Sequence, residues 1–302
     1  MTTTATLAHL DVKRRHDFVL LFDVADGNPN GDPDAGNLPR VDPETMCGLV
    51  TDVAIKRKVR DYVDTARGTE ARYKIYVQRE TYLTDTRARV FGQRGGGRKD
   101  ADIPPLEAQK WMCQEFYDIR MFGAVMSMKA QNAGQVRGPM QITFARSQDR
   151  IAYQDHTITG PLQTRGERPA NQEEDDLQAP THGTMGRKAT VHYGLYLAHG
   201  FFNPHFAQRT GATSEDLGIF WQALQMMWDL DRSASRGMMA CRGLYVFSHE
   251  SNLGNAPAHT LFERIVAEKK PGVEAPRKFS DYSVTVNGDN LPTGVTLTRL
   301  VG

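Results

Sequence analysis

Five cationic side chains and a dense run of turn-forming residues share one stretch of this chain, Phe22 to Val63, FDVADGNPNGDPDAGNLPRVDPETMCGLVTDVAIKRKVRDYV. Asn, Gly, Asp and Pro supply tight turns and outward-pointing main-chain N–H groups. Arg40, Lys56, Arg57 and Arg60 add positive charge beside them. That combination suits a backbone-lined cradle for a phosphate chain. Two further segments carry the same chemistry. Gly134-Gln-Val-Arg-Gly-Pro-Met-Gln141 sets Arg137 in a Gly-bounded turn, where the backbone can approach a ligand and the guanidinium offers a planar fork to phosphate. Thr184-Met-Gly-Arg-Lys188 places Arg187 and Lys188 beside a glycine.

Other chemistries fit less well. Asp26-Gly-Asn-Pro-Asn-Gly31 imitates the first half of a calcium loop, but the closing Glu is replaced by Asn37. No G-x-x-x-x-G-K-[ST] segment occurs, so there is no P-loop. His192, His199 and His205 lie among aromatic residues at a spacing that enforces no metal geometry, which points to core packing or base stacking. Asp23, Asp26, Asp32 and Asp34 could hold magnesium in a nuclease, yet nothing in the sequence pairs them with a base or a cationic clamp. Cys47, Cys113 and Cys241 are too few and too scattered for a disulfide framework or a zinc site. We expect no cofactor and no metal.

The 302 residues allow one large domain or two average ones, and the composition is that of a globular protein. No run approaches 18 apolar residues, and the opening MTTTATLAHLDVKRRH lacks the apolar centre of a secretory signal. We therefore expect a cytoplasmic protein with no membrane partner. Net charge is only +1, but charge is patchy. Arg67 to Lys99 holds nine Lys/Arg against three acids, Arg232 to Arg242 holds three Arg and no acid, and Glu173 to Asp176 is an acidic run. Patches compatible with a binding groove are equally compatible with solvated faces.

The elements that must position these residues follow from periodicity. Asp17 to Ala25 reads as a buried strand, Asp26 to Pro43 as a loop without regular structure, and Glu44 to Arg67 as a helix stopped by Gly68. On that helix Met46, Leu49, Val50 and Val53 form a stripe that Lys56 and Arg60 continue, while Ile55, Val59, Tyr62 and Val63 form the apolar side further on. Strands are expected at Tyr73 to Gln78, Met121 to Met128, Gly138 to Ala145, Thr190 to Phe202, Gly243 to Ser248 and Tyr282 to Val286. Arg87 to Asp102 reads as a Gly-rich basic loop. Helices are expected at Gln109 to Tyr117, at Glu215 to Leu230 behind a Thr213/Asp216 capping box, and within Pro257 to Lys270. This order fits an α+β, ferredoxin-like fold with insertions.

Together these segments resemble one family, the repeated backbone subunit of the type I-C CRISPR Cascade complex, shared with type I-B. The resemblance is carried by GNPNGDPDAGNLPR and the helix after it, VRGPMQ with the strand through Arg146, TMGRK, YGLYLAHGFFNP, MWDLDRSASRGMMACRGLYVFSHES and LGNAPAH. It covers about two thirds of the chain and departs from the family in residues 148–183 and in the Gly-rich loop. It implies a single elaborated RNA-recognition-type domain over 1–302, shaped as palm, fingers and thumb, with a finger insertion at 68–120 and a thumb at 147–188. It also implies copies polymerising head to tail along CRISPR RNA, guide bases left free to pair with target DNA, other Cascade subunits at the ends, and a separately recruited helicase-nuclease that does the cutting. By this resemblance the subunit binds and is not an enzyme. The residues it points to are Arg40, Lys56, Arg57 and Arg60 on the palm, then Arg137, Gln141 and Arg146, then Arg187 and Lys188 at the thumb base. Asn28 and Asn30 shape the cradle or bond ribose, Met185 is a wedge, and Arg94, Arg98 and Lys99 lie on a path for DNA. The competing classes are a metal-dependent RNA-cutting subunit of type III kind, using Asp23 or Asp26, and a structural module unrelated to nucleic acid.

Overall fold

The computed structural model describes residues 7–79, 81–128, 130–160 and 184–302. Most of the acid-containing insertion, including the greater part of the expected thumb, lies outside the described residues. An antiparallel sheet dominates the fold. Its strands are β1 (His16–Gly27), β4 (Cys47–Val50), β7 (Met140–Ile142), β8 (Ala145–Arg150), β9 (Tyr153–Gly160), β10 (Thr184–Phe202), β11 (Met238–His249) and β14 (Val295–Val301). The main order is β14-β11-β1-β10-β8-β4, with β7 and β9 also paired to β10. Small two-stranded sheets join β2 (Gly31–Asp32) to β3 (Leu38–Pro39), β5 (Gly123–Met126) to β6 (Gly134–Arg137), and β12 (Ile265–Lys269) to β13 (Tyr282–Val286).

β1 is buried on both faces, which explains its unbroken apolar run. On one face Phe18, Leu20, Phe22 and Val24 pack against α1 (Asp52–Arg67) and α6 (Ser214–Leu230). Phe22 stacks on Trp228 with ring centroids 4.5 Å apart. On the other face Val19 and Leu21 share a core with Tyr193, Leu195, Tyr245 and Phe247, covered by α7 (Ala258–Phe262), β12 and β13. The sheet therefore has no open face at its centre. Between α1 and β7 the chain makes a satellite of α2 (Leu83–Arg94), α3 (Pro105–Glu115), α4 (Tyr117–Phe122), β5 and β6, with its own apolar cluster running from Tyr76 to Val136. α5 (Pro204–Thr210) follows β10 directly. A buried ion pair clamps the satellite to α6: Arg120 donates to Asp216 at 3.0 and 2.6 Å, both side chains fully buried. Asp216 also completes the expected capping box with Thr213.

Several expected elements differ. The helix expected from Glu44 begins at Asp52, capped by Thr51, because residues 47–50 pair as β4 with β8. The early stripe of Met46, Leu49, Val50 and Val53 is therefore no helix face, and Val53 is 65% exposed. Ile55, Val59 and Val63 are the buried side, with Lys58 beside them. The loop after β1 contains the short β2–β3 pair. Residues 73–78 make only one bridge, Lys74 to Phe116, and part of the expected loop 87–102 is α2, whose Val90 and Phe91 enter the satellite core. Pro257 to Lys270 splits into α7 and β12, since Ile265 and Ala267 alternate into the core beneath β13. β14 was not anticipated. Among the described residues no helix is long and apolar enough to cross a membrane.

Candidate nucleic-acid interface

Residues 28–40 are held in shape by their own side chains. Asn28 donates from Nδ2 to the Asn37 carbonyl at 2.7 Å and accepts the Asn30 N–H at 3.1 Å. Asn30 accepts the Thr51 N–H at 2.9 Å, which ties the loop to the start of α1. Arg236, from the turn before β11, donates to the Asn28 and Pro29 carbonyls at 3.1 and 3.2 Å. Glycine permits this closeness: a Cβ on Gly27 would sit 2.0 Å from the Arg236 carbonyl oxygen.

The braced loop borders a cavity of about 550 Å³ lined by Asn28, Asn30, Gly31, Asn37, Arg57, Asp155, Arg187, Lys188, Ser235 and Arg236 among others. A second cavity of about 420 Å³ shares Asn30, Gly31, Arg57 and Arg236 with it and adds Arg40, Lys58, Phe144 and the first turn of α1. The two form one cleft. Arg57 is exposed, with a loose contact to Asp61 at 3.9 Å. Arg40 pairs with Asp32 at 3.3 Å. Arg187 and Lys188 lie on β10 opposite Thr157 and His156 of β9, and make no ion pair among the described residues. Lys58 is buried at the base, paired with Asp231, with Trp228 beneath it at 5.9 Å. Burial, then the neighbouring Arg236, pushes the Lys58 amine down to about 7. Asp231 also holds Arg236 at 3.3 Å. The positive end of the α1 dipole adds to the field in the same cleft. Such a cleft can hold a chain of phosphates by charge, without reading bases.

Of the residues singled out in the sequence, Asn28, Asn30, Arg40, Arg57, Arg187 and Lys188 meet here. The others do not. Lys56 pairs with Asp52 at 2.9 Å and reaches Gln141 at 3.5 Å. Arg60 pairs at 2.9 Å with buried Asp118, which also accepts the Tyr76 and Val77 N–H groups at 2.8 and 3.1 Å. Arg146 pairs with Asp42 at 2.9 Å, whose carboxyl is held low by the Glu44 and Thr45 N–H groups and then by Arg146. Arg137 lies over the Phe206 ring at 4.6 Å and lines a different cavity. Arg94 donates to Gln114 at 2.9 Å, Arg98 holds Glu107 at 3.1 and 2.7 Å, and Lys99 is exposed. Met185 lies opposite Thr159 in the β9–β10 pair. Lys58, Ser235 and Arg236 were not singled out. The acid-free Arg232–Arg242 stretch was the signal for Arg236, while Lys58 is hidden in sequence by its place on the apolar side of α1.

Asp23 is buried and engaged by Arg242 Nε at 2.8 Å and by the Tyr193 hydroxyl at 2.9 Å, and burial raises its pKa. Asp26 is exposed, 3.7 Å from His192. His199 stacks on Phe262 at 4.2 Å, a packing role. Among the described residues no three His, Cys, Asp or Glu side chains converge on a metal position.

A family model described as CRISPR-associated protein Cas7 matches residues 14–287. A curated relative from Haloferax volcanii, described as CRISPR-associated protein Cas7, is 25% identical over 237 residues, which is 70% of this chain and 64% of the relative. The chain thus spans less than two thirds of that protein's length. Two solved chains, described as "CRISPR RNA-guided surveillance complex, pre-nicking" and "CRISPR RNA-guided surveillance complex", align over 77% of this chain and over 75% and 68% of theirs. Their TM-scores are 0.47 and 0.45 at 16% and 14% identity, too loose an overlap to carry residue roles.

Proposed function

The chain belongs to the CRISPR-associated Cas7 family, and from that premise we propose that it is an RNA-binding backbone subunit of a Cascade-type surveillance complex, of the type I-C kind. One observation carries the reading: Arg57, Arg187, Lys188 and Arg236 converge, with the start of α1, on a cleft walled by an Asn/Gly loop. A guide must be held by its backbone so that its bases stay free to pair with target DNA. Four cations and a helix terminus around an amide-rich loop meet that requirement.

The order β11-β1-β10-β8, with α1 and α6 against one face, supports an RNA-recognition-type core. Its sheet face is filled by α7, β12 and β13, so the guide runs past the β1 loop and not across the sheet. The satellite with its own core is the finger, and the β9–β10 pair is the thumb base. Copies line up head to tail on the guide in the cytoplasm, other subunits close the ends, and a recruited helicase-nuclease cuts. We propose a binder and not a nuclease, since Arg242 and Tyr193 already occupy the Asp23 carboxylate.

The test is single-stranded RNA affinity against salt for wild type and Arg57→Ala with Lys188→Ala. Losing two phosphate contacts should flatten the log–log slope by about 1.4. An unchanged slope would sink this site. Magnesium-dependent cutting of bound RNA that Asp23→Ala abolishes would favour the type III kind instead.

A further inference from the structure

Among the described residues that line the cavity of about 550 Å³, one carries a carboxylate, Asp155, and the other charged groups, Arg57, Arg187, Lys188 and Arg236, are all cations. The adjoining cavity has three carboxylates, and each is committed to a cation. Asp52 pairs with Lys56 at 2.9 Å, Asp61 lies 3.9 Å from Arg57, and Asp231 holds Arg236 at 3.3 Å and Lys58 besides. Asp155 differs. It is exposed on β9 opposite Ala189 of β10, and among the described residues it has no cation within ion-pair distance.

A free carboxylate beside a phosphate chain repels it, so Asp155 weakens a purely electrostatic clamp. That cost is offset only where the bound strand offers the carboxylate a donor, because an ionised Asp can only accept. Phosphate has no such donor at neutral pH, and deoxyribose within a strand has none. Ribose has its 2′-hydroxyl. Base N–H groups are donors too, but in a guide they are turned toward the pairing strand.

Other acceptors in the cleft are already taken. Asn28 Oδ1 accepts the Asn30 N–H at 3.1 Å, Asn30 Oδ1 accepts the Thr51 N–H at 2.9 Å, and the Asn28 and Pro29 carbonyls accept from Arg236. Asn37 and Ser235 can donate as well as accept, so they suit a phosphate as readily as a hydroxyl. The strand register also fits. Ala189 faces Asp155, so Arg187 is its diagonal neighbour across the β9–β10 pair, about 7–8 Å away along the backbone, a separation that one nucleotide spans.

We propose that Asp155 selects ribose over deoxyribose, its carboxylate accepting a hydrogen bond from the 2′-hydroxyl of a nucleotide whose phosphates lie on the cleft cations. This deepens the cleft reading and rests on it. A cleft that held its strand by charge alone would take single-stranded DNA as readily as RNA. With Asp155 in place, DNA meets the repulsion without the compensating bond.

The test uses the full chain and fluorescent oligouridylate, oligodeoxyuridylate and 2′-fluoro-oligouridylate of one length, titrated by anisotropy. The fluoro strand keeps the sugar pucker of RNA but has no 2′ donor. Wild type should bind oligouridylate about tenfold more tightly than either of the other strands. Asp155→Ala should bring the three affinities within threefold of one another. Asp155→Asn, which keeps an acceptor without the charge, should retain an intermediate preference. Wild-type binding of the fluoro strand as tight as that of oligouridylate would make pucker the selector and overturn the proposal. So would Asp155→Ala shifting all three affinities by the same factor, the result expected if Asp155 merely repels phosphate or supports the fold. If Arg57→Ala with Lys188→Ala left all three affinities at wild-type values while Asp155→Ala still levelled them, the cation assignment of the cleft would fail and the ribose contact would stand.

Discussion

Two cation-rich regions of this molecule invert what their sequences suggest. The densest, Arg67 to Lys99, spends most of its charge internally. Arg67 holds Glu70 and Glu215, Arg72 lies 3.6 Å from Asp216, and Lys74, Arg89 and Arg94 gather around buried Glu115 at 2.9, 3.9 and 3.9 Å. Arg98 holds Glu107, and Arg87 is buried against the Met126 carbonyl. The partners Glu107, Glu115, Glu215 and Asp216 all lie outside the window, so most of the local surplus is offset once the chain folds. The cleft draws single cations from distant places, at 40, 57, 187, 188 and 236, and leaves Arg57 and Arg187 exposed. Available charge is set by where the counter-ions fall, not by linear density.

The sharpest way to break this comparison is to remove an internal partner. Arg120→Ala should destabilise the protein by about 3–5 kcal/mol in urea titrations, because fully buried Asp216 would lose its closest cationic partner and keep only Arg72 at 3.6 Å and the Thr213 donors. Arg120→Met with Asp216→Leu should recover most of that loss. RNA affinity of the surviving folded Arg120→Ala protein should stay within twofold of wild type. If it fell as far as in the cleft variants, the two regions would not be functionally distinct.

Next in size is the cleft variant Arg57→Ala with Lys188→Ala, expected to lose affinity and flatten the salt slope at wild-type stability. Arg60→Ala should do the opposite, costing about 1–3 kcal/mol of stability because Asp118 loses a charged partner but keeps two N–H donors. Its salt slope should match wild type.

pH sharpens the comparison inside the cleft. Lys58 is charged below about 7 and neutral above it, and phosphate favours the charged form. RNA affinity should therefore fall as pH rises from 6 to 8, and Lys58→Met should remove that fall while leaving the salt slope of Arg57 and Lys188 in place. A wild-type affinity flat across this range would remove Lys58 from the site. The smallest effect is expected for Arg94→Ala with Arg98→Ala, whose salt slope should move by less than about 0.3, since Gln114 and Glu107 already hold both side chains.

Legibility followed how local the physics is. The buried strand at 17–25, the α6 stripe with its Thr213/Asp216 box, and the strands at 190–202, 243–248 and 282–286 could all be read, because each is fixed by neighbours a few residues away. The start of α1 was misread because Cys47–Val50 satisfy their backbone against β8, about a hundred residues later. Similarly, 87–94 seemed loop until Val90 and Phe91 found the satellite core. Within the cleft, the Asn/Gly loop with Arg40 and Arg57 was legible from turn chemistry, and Arg187 and Lys188 from their place beside Gly186.

By itself the sequence determined the turn-rich loop at 26–40, the amphipathic helices, the patchiness of charge and the resemblance to a Cascade backbone subunit, since these depend on residue type and short spacing. Only the tertiary structure decided which cations remain available. In sequence Lys56, Arg57 and Arg60 stand together, Arg146 and then Arg187 and Lys188 come after them, and Arg94 and Arg98 fall on the DNA path that the resemblance implies. Folding brought a carboxylate or carboxamide to Arg60, Arg94, Arg98 and Arg146, while Lys56 pairs with Asp52 one helical turn away, and it brought Arg57 and Lys188 to one cleft. Ion pairing falls off over a few ångströms, and no local pattern encodes which distant acid comes within that range.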